Sequence, residues 1–140
     1  MVLDTNVVLD LLHFDDQAAR PLRHALEAGR VQSVVTDATL DEWRRVLAYP
    51  GFALEPARQA ALRARYLGLS AKAGTVDGCS GLPRCSDPDD QKFIELAAQA
   101  AAQALVSKDR AVLKLRRRCA PHFRIMTPVE AVRWLETLPA

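Results

Sequence analysis

Five short apolar runs alternate with segments of helical period along this 140-residue chain, and that alternation restricts its fold more than any other feature. The runs are Met1–Leu3, Val31–Thr36, Ser70–Thr75, Ala104–Ser107 and Phe123–Met126. They have the length of strands rather than helices. Between them, Thr5–Leu12 reads as a helix with an apolar face. Ala18–Ala28 follows, with Ala18, Leu22, Ala25 and Leu26 on one side and Gly29 as its stop. A third helix starts at Thr36 or Asp37 and runs to Leu47. Leu40, Trp43, Val46 and Leu47 form its inner stripe, and Tyr49–Pro50–Gly51 ends it. Pro56–Leu69, Asp89–Ala102 and Thr127–Leu138 complete the helices, with a helical turn over Asp109–Leu115 and a loop over Asp77–Arg84. In the last helix Thr127 is the expected N-cap, Pro128 the first helical residue and Glu130 the capping-box partner. Strands alternating with helices imply an α/β fold with a parallel sheet covered on both faces. Ligands of such sheets bind at the carboxyl ends of the strands.

The length suits one domain spanning residues 1–140. No apolar run approaches the ~20 residues that span a bilayer, and no basic leader with a cleavage site is visible. The expectation is a cytoplasmic protein that avoids membranes. Cys79, Cys85 and Cys119 lack zinc-type spacing and read as ordinary thiols. The formal net charge of +2 conceals a basic stretch: Lys108, Arg110, Lys114, Arg116, Arg117 and Arg118 surround a single acid, Asp109. Such a rim suits a polyanion; cations at a helix C-terminus are the structural alternative for Arg116–Arg118.

Four acids lie where strands should end or helices begin: Asp4, Glu42, Asp90 and Asp109. Each adjoins apolar sequence, where an isolated carboxylate is costly to desolvate. A strand-end crevice could collect all four. Carboxylates so gathered raise one another's pKa values unless positive charge neutralises them, and Mg²⁺ or Mn²⁺ prefers such oxygen ligands. One or two ions there would activate water for phosphodiester cleavage. Asp4 is expected to be the central ligand. Asn6 could hold Asp4 or a phosphate, Thr5 could cap the first helix, and Ser107 could orient Asp109 or the phosphate. Asp37 and Asp41 read as cap and first-turn charges. In DPDD, Asp87 and Asp89 fit either a turn or the site, and Asp89 competes with Asp90 as third acid. His13, His24 and His122 carry no catalytic motif.

These residues together resemble the PIN domain, and within it the VapC-like toxins. VLDTNVVLDLL is similar to the family's first strand and DTN motif, with Asp4 as first acid beside Thr5 and Asn6. TLDEWRRVLAYP places the second acid at Glu42. DPDDQKFIELAAQAAAQALVSKD matches the third and fourth blocks through Asp90 and Asp109, with Ser107 in the Ser/Thr position before the last acid. The first strand is shorter than in the family. The resemblance implies a three-layer α/β/α sandwich and a Mg²⁺- or Mn²⁺-dependent ribonuclease that forms a homodimer and is inhibited by a small antitoxin. A catalytically inactive nucleic-acid-binding module and a DNA or flap nuclease are the alternatives.

Overall fold

The computed structural model describes residues 1–74 and 81–139. The expected strand at Ser70–Thr75 and loop at Asp77–Arg84 therefore lie partly outside the described residues, as does Cys79. Strands β1 (Val2–Leu3), β2 (Ser33–Val35), β3 (Ser70–Lys72), β4 (Ala104–Val106) and β5 (Arg124–Met126) are all parallel to their neighbours. Ladders run β1–β4–β5 and β2–β3. Val34 N–H donates to Met1 O at 2.9 Å, and the Met1 amino group donates to Gln32 O at 2.7 Å. These bonds join the ladders in the spatial order β3–β2–β1–β4–β5.

Side chains alternate across the strands as the two-residue period demands. Leu3, Val35, Ala104, Val106 and Met126 enter one core cluster, and Val2, Leu105 and Ile125 enter the other. The first core is closed by helices α1 (Thr5–Leu12), α2 (Arg20–Glu27), α3 (Asp37–Leu47), α4 (Pro56–Gly68) and α8 (Pro128–Glu136). The second is closed by α5 (Gln91–Gln99), α6 (Arg110–Leu113) and α7 (Arg116–Cys119). A parallel central sheet flanked by helices on both faces is the architecture expected from the alternation. Among the described residues, no helix is long and apolar enough to cross a membrane.

Local chemistry sets several boundaries. Thr36 and Thr39 form a reciprocal capping box at the start of α3, and Thr127 and Glu130 form another at α8. Three expectations are corrected. The second helix is preceded by a 3₁₀ turn at Gln17–Ala19, so Ala19 is buried while Ala18 is exposed. The helix expected over Asp89–Ala102 begins at Gln91 after a 3₁₀ turn, Pro88–Asp90, and ends at Gln99. Ala101 there adopts φ +51°, which cannot continue a right-handed helix. The turn after β4 divides into α6 and α7, with Leu115 wholly buried between them.

The apolar face of α1 is core: Val7, Val8, Leu9, Leu11 and Leu12 are all buried. Cys85 and Cys119 are buried free thiols.

Candidate metal centre

The chain runs from β1 outward to β2 and β3, then returns across the sheet to β4 and β5. Strand order thus reverses between β1 and β4, where parallel sheets open a crevice at their carboxyl ends. Asp4 directly follows β1, and Ser107 to Asp109 follow β4. The Asp4 N–H donates to Val106 O at 3.0 Å, fixing the two strand ends side by side.

Asp4 occupies the N-cap position of α1, yet its carboxylate makes no capping hydrogen bond. It accepts instead from Ser107 Oγ at 2.7 Å. Ser107 Oγ also accepts from the Asp109 N–H at 3.0 Å, so one wholly buried hydroxyl is held between two acids 105 residues apart in sequence. Asp109 Oδ1 caps α6 through the Ala111 N–H at 2.8 Å. Burial pushes the Asp4 carboxyl above the ordinary range, with smaller contributions from the charges of Glu42 and Asp109. The Ser107 bond and the Asn6 backbone N–H oppose that rise.

Asp90 ends the 3₁₀ turn that introduces α5 and is only 8% exposed. Its Oδ2 is buried and meets no hydrogen-bond partner among the described residues. Burial is the main cause that pushes its carboxyl to about 8, followed by the neighbouring carboxyl of Asp109 and the charges of Asp4, Asp109 and Asp87. Oxygen atoms of Asp87, Asp90 and Asp109 all lie within 4.8 Å of one another. Three carboxylates this close repel one another strongly unless a proton or a cation intervenes. A buried oxygen without a donor, set among hard anionic ligands, fits a divalent cation of the Mg²⁺ or Mn²⁺ class.

Glu42 reaches the same region from the second turn of α3, not from its first turn as the sequence suggested. Thr5 Oγ1 donates to Glu42 Oε2, and Lys92 Nζ donates to Oε1 at 2.6 Å. Thr5 therefore holds Glu42 rather than capping α1. Lys92 also lies 5.5 Å from the Phe93 ring centroid. Lys108, at the β4 end, sits 2.5 Å from the buried Asp10 of α1.

The four sequence-selected acids thus lie in one electrostatic neighbourhood, with Asp90 and Asp109 in its tightest group. Asp89 is exposed, and its N–H donates to Asp87 Oδ1 at 3.0 Å. Asp90 and Asp87, not Asp89, join Asp109 in the close acid group. Asn6 is exposed beside Asp4. Asp37 and Asp41 are exposed partners of Lys72 and Arg44; Thr36 is the cap, so Asp37 is the first-turn charge and Asp41 lies in the second turn, against the expected cap and first-turn places. Lys92 went unselected; a lone lysine two residues after the key acid, ahead of FIELAA, was the available signal.

A family model for the PIN domain matches residues 1–111. No curated protein and no solved structure matches the chain.

Proposed function

This chain belongs to the PIN domain family, and from that premise we propose that it is a divalent-metal-dependent nuclease cleaving phosphodiester bonds of RNA. The observation that carries the proposal is the buried Asp90 oxygen that meets no donor among the described residues, in a carboxylate grouped with those of Asp87 and Asp109. Asp87, Asp90 and Asp109 would hold the cation, with Asp4 beside them. When bound, Mg²⁺ or Mn²⁺ supplies an activated water and charge neutralisation at the phosphate.

The chain's own residues supply the positioning. Ser107 fixes the Asp4 carboxylate and the Asp109 backbone in one arrangement, which limits side-chain motion at the strand ends. Thr5 and Lys92 hold both oxygens of Glu42. The Lys92 side chain, about a quarter exposed, lies at the edge of the acidic cleft, where its ammonium can meet a phosphate oxygen. Exposed Lys114, Arg117 and Arg118 on the α6–α7 side offer attraction to a polyanion. Arg116, Arg117 and Arg118 all fall inside the four-residue α7, a helix too short for its dipole to explain them.

The likeness of VLDTNVVLDLL and the later acid blocks to VapC-like toxins extends the proposal: a cytoplasmic toxin, active as a homodimer and restrained by a small antitoxin protein. Purification with the product of a neighbouring small gene tests that extension.

The enzymatic reading is tested by incubating single-stranded RNA and flap DNA with the protein and Mn²⁺, beside an Asp4→Asn variant. We expect RNA cleavage by the wild type and at least a ~100-fold loss in the variant at unchanged circular dichroism. Full activity of the variant refutes the site. Cleavage of flap DNA alone selects the DNA nuclease, and RNA binding without cleavage selects an inactive module.

A further inference from the structure

A groove lies outside the acid cleft, along the β5 edge of the sheet. A cavity of about 480 Å³ there is lined by Arg116, Arg124, Arg133, Trp134 and Met126, with Glu130 as its acid. Glu130 is already engaged: Arg116 Nη1 and Nη2 donate to its two carboxylate oxygens at 3.0 and 2.5 Å. Arg124 and Arg133 are exposed, and no acid pairs with either among the described residues. Two guanidinium groups and an indole thus share one groove, and among the described residues neither guanidinium has an acid partner.

Its placement connects it to the site. The Ser107 N–H donates to Met126 O at 2.9 Å, so the groove begins one strand spacing, about 4.8 Å, from β4, the strand that leads into Ser107. From Met126 it follows β5 back past Arg124 towards Trp134. All of its lining falls beyond residue 111, where the family match ends, so it belongs to this chain's own C-terminal portion.

We infer that this groove is an extended binding site for the single-stranded RNA whose scissile bond lies in the acid cleft, with Arg124 and Arg133 on backbone phosphates and Trp134 against a base. The inference rests on the ribonuclease reading above. Guanidinium groups recognise phosphate oxygens in pairs, and an aromatic face accepts any base, which together form a sequence-tolerant single-strand site. An acidic protein segment would also meet the arginines, but a groove whose Met126 end is hydrogen-bonded to Ser107 of the acid cleft favours the substrate's own chain.

The test uses the full-length protein in EDTA with a fluorescein-labelled 12-nucleotide single-stranded RNA, so that binding is read without cleavage. Arg124→Glu/Arg133→Glu is compared with wild type, and circular dichroism confirms that both are folded. We expect affinity to fall at least tenfold, and the slope of log affinity against log salt to shrink by about 1.4, the value for two single-strand phosphate contacts. Wild type provides a second reading. Trp43 is 1% exposed, so a change in indole emission on RNA addition reports on the half-buried Trp134. Equal affinity and slope in the charge-reversal variant, or indole emission unmoved at saturating RNA, overturns the groove. Either result alongside RNA cleavage by wild type with Mn²⁺ leaves the nuclease reading intact. Failure of wild type to cut any RNA strikes that reading instead.

Discussion

Replacing Asp90 with asparagine should stabilise the metal-free protein, by an amount that grows as the pH rises from 4 to 8. Free aspartate ionises near 3.8, whereas Asp90 in the fold retains its proton to about 8. Between those values the native state binds more protons than the unfolded chain, so raising the pH favours unfolding. The penalty is absent below pH 4 and complete above pH 8. At about 1.4 kcal/mol for each tenfold change in proton affinity, the interval from 3.8 to about 8 sets a ceiling near 6 kcal/mol. Water entering the cleft screens part of this, leaving an expected effect of about 2–3 kcal/mol. For a chain of this length that corresponds to a rise in Tm of roughly 6–9 °C. The assay is thermal unfolding of wild type and Asp90→Asn in EDTA at pH 4 and pH 9. A gain at pH 9 with none at pH 4 is expected. Mn²⁺ at 1,000 times the wild-type Kd should reverse the order at pH 8, because wild type then gains about 4.1 kcal/mol that the variant lacks. A variant equally shifted at both pH values, or less stable than wild type at pH 9 in EDTA, would show that Asp90 is not a desolvated acid crowded by like charges.

Further outcomes follow from the same geometry. Ser107→Ala removes the donor to Asp4 and the acceptor for the Asp109 N–H; stability should fall by about 1–3 kcal/mol, and RNA cleavage in Mn²⁺ should fall further than unfolding explains. Ser107→Thr should restore both, as measured by denaturant titration and initial rates. Lys92→Met takes a cation from Glu42, so calorimetry should find Mn²⁺ bound severalfold more tightly; weaker binding would mean that Lys92 supports the site instead of competing with the ion. Because cation binding must displace the proton on Asp90, Mn²⁺ affinity should rise steadily from pH 6 to pH 8 and level off above it. A flat profile would contradict the assignment of Asp90 as a ligand.

Helix α1 was legible to the residue, because Asp4 at its N-cap precedes an uninterrupted apolar face over Val7–Leu12. The parallel sheet was legible from the spacing of five short runs, although the sequence carried no sign that β1 would sit between β2 and β4. Helix α7 was not legible: Arg116, Arg117 and Arg118 have no apolar period, and only Leu115 before it and Cys119 at its last position enter the core. The early end of α5 was hidden as well, since alanine rather than glycine adopts the left-handed conformation at position 101.

At the site, apolar flanks pointed to Asp4, Asp90 and Asp109, because each is placed by a strand end or a helix start. Asp87 depended on a 3₁₀ turn whose direction DPDD does not reveal. In that turn Asp87 Oδ1 receives the Asp89 N–H, while the Asp87 carboxylate also approaches Asp90 and Asp109. Glu42 was found by its block and misplaced by one helical turn. Contacts made by long side chains, such as Lys92 to Glu42, depend on how two helices pack and leave little trace in local sequence.

The account rests on a divalent ion held among acids that the fold gathers from separate segments. Crystals soaked in MnCl₂ at pH 8 and measured at the manganese edge test this directly. The account predicts an anomalous peak within bonding distance of the Asp87, Asp90 and Asp109 carboxylates, lost in crystals of Asp90→Asn. Full diffraction from a soaked crystal with no peak between those three side chains would contradict it.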